Sequence, residues 1–264
     1  MSRLNSHIAG KGPTLVMLHG LFGSLDNFRS ASLHMERSLS VVRLDLPGHG
    51  ESPSIPELSI EKMANAVLTE LANLGIKQFS LLGHSLGGKV AMAMAGHADC
   101  TGLKKLCIVD IGPKVYPPHH QPIFDALLDL DLKELTDRRE ADTKLRESIP
   151  EAGVRAFLLK GLYRSESGRF RWRFDLNTLA RDYHLICQAP ELGSAITAPT
   201  LFIKGSLSEY LIASDESDIK AKFAQPSLKV IDGAGHWPHA EKPAQFTRIC
   251  QEFLVTDNSS GTNN

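Results

Sequence analysis

No stretch of this chain approaches twenty consecutive apolar residues, so none of it reads as a membrane-spanning helix even though 42% of its residues are hydrophobic. The opening residues, Met1-Ser2-Arg3-Leu4-Asn5-Ser6-His7, lack the apolar core of a secretion signal, which makes the cytoplasm the expected location. An excess of one charge is missing too. With 29 basic and 30 acidic residues the formal net charge is -1, which offers no electrostatic basis for holding nucleic acid or an anionic bilayer. Cysteine is scarce and scattered: Cys100, Cys107, Cys187 and Cys250 show no C-x-x-C spacing, which argues against a zinc or disulfide framework and for reduced thiols. What is left is a soluble globular chain, and 264 residues suffice for one large α/β domain carrying an insertion.

What is present centres on Ser85. The apolar run at 79–82 ends at a glycine, and Val90-Ala91-Met92-Ala93-Met94-Ala95 reads as helix, so a strand gives way to a helix at the serine. Gly83-His84-Ser85-Leu86-Gly87 fits the G-x-S-x-G bend that pushes a serine hydroxyl out at the top of a sheet. Side chains at 83 or 87 would crowd such a bend, and glycine removes them. The helix beginning after Ser85 directs unpaired N–H groups toward the place where an oxyanion would form.

Other strands flank this one. Thr14-Leu15-Val16-Met17-Leu18 reads as a buried parallel strand leading into His19-Gly20-Leu21-Phe22-Gly23. The N–H of Leu21, with that of Phe22 as a further candidate, would be one oxyanion donor and the N–H of Leu86 the other. His19 reads as structural. Residues 39–44 form another strand, followed by the turn-rich Asp45-Leu46-Pro47-Gly48-His49-Gly50-Glu51-Ser52, where His49 reads as a loop-stabilising residue. Ser59 caps a helix carrying Met63, Ala66, Val67, Glu70, Leu71 and Leu74 at helical spacing, and Gly75 stops it. Within residues 103–113 a buried strand ends at Asp110, a carboxylate that needs a partner to offset its desolvation and so is a candidate to orient a histidine.

Residues 114–190 change character, with helical runs at 123–132 and 154–162 and no parallel strand, and are expected to be an inserted helical cap between core segments 1–113 and 191–255. Phe170-Arg171-Trp172-Arg173-Phe174 has a strand-like period and reads as the edge of a cap hairpin rather than a nucleic-acid surface. The parallel pattern resumes at Pro199-Thr200-Leu201-Phe202-Ile203-Lys204-Gly205 and at 227–231. After that last strand comes Asp232-Gly233-Ala234-Gly235-His236-Trp237-Pro238-His239, which places His236 at the same sheet edge as the serine and marks it as the general base. A terminal helix is expected at 246–255 and a disordered tail at 256–264.

Serine, acid and histidine in this chain order match the α/β-hydrolase arrangement. The motifs around His19, Asp45, Ser85, Asp110, Trp172 and His236 together resemble, over nearly the whole chain, the YbfF-type esterases of the α/β-hydrolase superfamily. The resemblance implies an α/β fold: a mostly parallel sheet with helices on both faces and an inserted helical cap. Many members of the wider superfamily carry an aspartate shortly after the strand ending at Gly205, where this chain has Ser208. The resemblance to the YbfF type implies instead the aspartate one strand earlier, Asp110, with Glu209 and Asp215 as weaker alternatives. It further implies a small-molecule substrate, a small carboxylic ester or an acyl-CoA thioester. Phe22, Trp172 and Trp237 are pocket candidates, and Lys89 is a packing or surface lysine. Neither metal nor cofactor is expected, and oligomeric state is left open. Haloalkane dehalogenation would need a carboxylate at position 85. Lactone opening, carbon–carbon bond hydrolysis and perhydrolysis would reuse the same serine and histidine, while a non-catalytic receptor would not need to keep them.

Overall fold

Strand residues buried on both sides set the architecture. In β2 (Thr14–Leu18), Leu15 and Met17 join one hydrophobic cluster while Val16 and Leu18 join another, so the strand lies between two layers. The computed structural model describes residues 3–255, and the tail expected to be disordered at 256–264 lies outside the described residues. In chain order the first half comprises β1 (Ser6–Ala9), β2, α1 (Arg29–Met35), β3 (Ser40–Leu44), α2 (Ile60–Asn73), β4 (Phe79–His84), α3 (Leu86–Gly96) and β5 (Leu103–Val109). There follow α4 (Gln121–Asp129), α5 (Arg138–Leu145), α6 (Ala152–Lys160), β6 (Leu162–Arg164), β7 (Phe170–Trp172) and α7 (Leu176–Ile186). The chain then returns through β8 (Thr200–Gly205), α8 (Glu216–Lys222), β9 (Pro226–Ile231), α9 (Pro238–Glu241) and α10 (Pro243–Val255).

The main sheet has seven strands in the order β1-β3-β2-β4-β5-β8-β9, parallel except where β1 pairs antiparallel with β3. One face carries Val16, Leu81, Ile108 and Phe202 against α2 and α3, and the other carries Met17, Leu82, Val109 and Ile203 against α1 and α10. The short, polar β1 has no apolar run to announce it, and its pairing with β3 creates it. As expected, the Ser59 side chain accepts from the Lys62 N–H at 3.4 Å, and Gly75 ends the turn with φ of 71°. Among the described residues no helix is long and apolar enough to cross a membrane.

Between β5 and β8 the chain leaves the sheet and forms four helices and the antiparallel hairpin β6-β7, which contains Phe170 and Trp172. Helix α4 starts two residues earlier than its apolar spacing suggests because Pro122 occupies its first turn. It ends at Asp129, where Leu130 turns extended.

Candidate active site

Parallel pairing brings three distant positions to one sheet edge. His84 lies opposite Val109 and Val109 opposite Ile203, so the residues following β4 and β5 emerge side by side. The Ser85 N–H donates to the Val109 carbonyl at 3.0 Å, and the Asp110 N–H donates to the Ile203 carbonyl at 2.7 Å. The loop after β9 delivers His236 to the same edge.

Backbone strain collects there. Among the described non-glycine residues only Phe22, Ser85 and Asp110 have positive φ, at 60°, 52° and 53°, and such positions cost on the order of 1–3 kcal/mol each. At Ser85 the bend holds because glycines flank it. A Cβ on Gly83 would lie 2.2 Å from the Gly87 carbonyl oxygen, and one on Gly87 would lie 2.2 Å from that of Leu18.

The bend aims the Ser85 Oγ at the His236 Nε2, 3.0 Å away, and the His236 Nδ1 sits 2.7 Å from Asp110 Oδ2. Since an ionised carboxylate only accepts, Nδ1 carries the ring proton, and Nε2 is free to take the serine's. Asp110 is fully buried but well partnered. Its Oδ1 accepts from the Gly205 N–H at 3.2 Å, and its Oδ2 also accepts a hydrogen bond from the Ser208 hydroxyl. Ser208, at the place where many superfamily members have an acid, thus donates to the acid on the neighbouring strand. The alternatives stand elsewhere: Asp215 pairs with Lys114 Nζ at 2.7 Å, and Glu209 is exposed.

Several residues that hold His236 were not among the site candidates. The buried His84 donates from Nε2 to the His236 carbonyl at 2.7 Å, and Glu241 accepts from the Gly235 and Trp237 N–H groups at 2.8 and 3.0 Å. Tyr210 stacks on the imidazole, with ring centroids 3.9 Å apart and planes 20° from parallel. Only Ser208 had a sequence signal, its place after the Gly205 strand.

Two cavities meet at Ser85. One, about 430 Å³, is lined by Leu21, Phe22, Ser85, His236 and Trp237 together with apolar residues of α4 and α6 such as Ile123 and Phe157. The other is a chamber of about 40 Å³ between Leu21, Leu86, Ile111, Tyr183 and Ile186. Phe22 and Trp237 therefore line the larger cavity, and Leu21 and Leu86 flank the serine. Trp172 does not line either cavity: the β6-β7 hairpin turns its indole onto Phe174, with centroids 5.3 Å apart, and packs it against the core.

Lys89 is buried rather than on the surface. Its Nζ donates to the Ile186 and Cys187 carbonyls at 2.9 and 3.0 Å, placing a cation at the C-terminus of α7 and tying the serine's helix to the inserted segment. Burial pulls its pKa down to about 8. The two histidines read as structural are so placed: His19 Nε2 accepts from the Leu46 N–H at 3.0 Å, and His49 Nδ1 donates to the Pro47 carbonyl at 3.0 Å.

Burial depresses five histidines: His19 and His120 to about 4, His49 and His239 to about 3, and His84 well below its ordinary value. Between pH 6.5 and about 4 the unfolded chain binds protons that the folded chain refuses. Stability is then present above pH 6.5 and lost as pH falls toward the folded values, at up to about 1.4 kcal/mol per pH unit for each group. The midpoint of urea unfolding is accordingly expected to drop steeply from pH 7 to pH 5. A flat or rising midpoint would contradict neutral burial of these rings.

Comparison with known proteins bears on what such a site does. Residues 15–249 match the Alpha/beta hydrolase family. The sn-1-specific diacylglycerol lipase ABHD11 of Mus musculus is 36% identical, over 92% of this chain and 81% of that protein. Esterase YbfF of Escherichia coli is 34% identical, over 91% of this chain and 92% of that protein. The solved structure of a marine microorganism esterase matches with a TM-score of 0.91 at 34% identity, covering 96% of this chain and 99% of that one.

Proposed function

Because the chain belongs to the alpha/beta hydrolase family and its relatives include proteins named esterase and lipase, we propose that it is a serine hydrolase of carboxylic esters with small acyl groups, working through Ser85, His236 and Asp110. The observation that carries this reading is the continuous relay from Ser85 Oγ through the His236 ring to Asp110, at 3.0 and 2.7 Å. His236 takes the serine proton as Oγ attacks the carbonyl carbon, and Asp110 stabilises the resulting imidazolium. The N–H groups of Leu21 and Leu86 stabilise the oxyanion, each contributing on the order of 3 kcal/mol. Collapse of the tetrahedral intermediate expels the alkoxide, which is protonated by His236. A water deprotonated by the same ring then releases the acid.

The unequal cavities support a division of the substrate. At about 10–15 Å³ for each bound water, the 40 Å³ chamber has room for about three heavy atoms, those of a short acyl group. The apolar 430 Å³ cavity takes the bulkier alcohol, with the inserted segment 114–190 acting as the cap that shapes it. A thioester follows the same steps with a thiolate as leaving group, which extends the proposal to acyl-CoA substrates.

The test is a panel of p-nitrophenyl esters from acetate to decanoate and the matching acyl-CoA thioesters, run alongside labelling with a fluorophosphonate. Labelling of Ser85 and turnover that declines beyond butyrate are expected. No label and no hydrolysis would overturn the enzymatic reading, and faster turnover of decanoate would overturn the assignment of the small chamber.

A further inference from the structure

The general base has a second support on the face of its ring. Tyr210 lies nearly parallel to the His236 imidazole at 3.9 Å, and every polar group of Tyr210 is held. Its N–H donates to Ser208 Oγ at 3.3 Å, the same oxygen that bonds to Asp110. Its carbonyl accepts from the Tyr116 hydroxyl at 2.5 Å, and its own hydroxyl meets His120 Nε2 at 3.2 Å. His120 is in turn bonded through Nδ1 to the Tyr183 hydroxyl at 2.8 Å. The ring is thus fixed both by the loop after β8 and by residues of the inserted segment.

We propose that Tyr210 is a positioning residue for His236, its π face keeping the imidazole aligned between Asp110 and Ser85 and favouring the imidazolium that forms as the serine loses its proton. The inference rests on the serine-hydrolase reading above. A cation over an aromatic face is attracted by the ring quadrupole, and the attraction grows when water is excluded. It acts on protonated His236 far more than on the neutral ring, so it is stronger in the transition state than in the resting enzyme. The other ionisable groups facing the imidazole are Asp110, which holds Nδ1, and His84, His120 and His239, which burial keeps neutral. Burial also pushes the Tyr210 phenol up to about 12, so neither it nor these histidines change charge near neutrality.

The experiment measures kcat, KM and the pH dependence of kcat/KM with p-nitrophenyl butyrate for the wild type, Tyr210→Phe and Tyr210→Leu. Tyr210→Phe keeps the face and is expected within threefold of wild type, its acid limb unmoved. Tyr210→Leu is expected to lower kcat by about five- to thirtyfold with KM changed less than twofold, and to move the acid limb down by about half a pH unit. If Tyr210→Leu does not fold, Tyr210→Met, flexible and without a π face, carries the same comparison. Unchanged kcat and acid limb in the aliphatic variant would overturn the proposal. So would an equal loss in Tyr210→Phe, since the hydroxyl rather than the face would then be responsible. A wild-type enzyme that turns over and labels at Ser85 while the aliphatic variant matches it rejects the role of Tyr210 alone. A wild type that does neither removes the hydrolase reading beneath it.

Discussion

Replacing Ser85 with alanine is expected to abolish ester hydrolysis, with kcat falling by up to about six orders of magnitude. The Oγ oxygen is the only heavy atom removed, and its hydrogen bond is to His236 Nε2 at 3.0 Å. The imidazole stays where it is, since Asp110 holds Nδ1, His84 holds the backbone carbonyl and Tyr210 backs the ring. The strained bend stays as well, because its cost belongs to the φ of 52° that alanine would adopt equally. Thermal unfolding of the variant should therefore differ little from wild type, so that loss of activity cannot be ascribed to loss of fold. p-Nitrophenyl butyrate turnover and a melting curve on one preparation check this. Residual activity above about one part in a hundred would mean that the nucleophile is elsewhere.

Asp110→Asn is expected to lower kcat by about 10⁴-fold. The amide would present a donor or a neutral oxygen to His236 Nδ1, favouring the wrong tautomer and withdrawing the negative charge that stabilises the imidazolium. The Gly205 N–H and Ser208 hydroxyl, both now donating to the carboxylate, would compete for a single acceptor oxygen. Asp215→Asn breaks a pair with Lys114 and Glu209→Gln changes an exposed side chain, so each should leave turnover within about threefold. Steady-state kinetics on the three variants separates them. A loss confined to Asp215→Asn or Glu209→Gln would reassign the acid.

These two substitutions mark where the pattern of residues could be read directly and where it could not. Ser85 announces itself because a strained strand-to-helix bend needs glycine on both sides, and that need is written in five consecutive residues. The buried strands are equally plain, since Leu15 to Leu18 and their counterparts must be apolar on both faces. Asp110 was a candidate from its place at a strand end. Its bond to His236 depends on the pairing of β5 with β8, a relation between segments about 90 residues apart.

Trp172 shows the opposite failure. It was a pocket candidate, but the hairpin turns its indole onto Phe174. Lys89 could not be placed without knowing that α7 ends against α3, and Tyr210 had no local signal. A stacked ring is defined by the plane of its partner, and that plane comes from 26 residues further along the chain.

From the order of residues alone came the fold class, the candidate nucleophile, the candidate base and a short list of candidate acids, because backbone sterics and burial act on neighbours in the chain. Only the tertiary structure decided which carboxylate reaches the imidazole, which rings support it and how the space around Ser85 is divided. Those depend on strand register and on packing between the sheet and the inserted segment, where distances of a few ångströms separate a working contact from none and no local pattern encodes them.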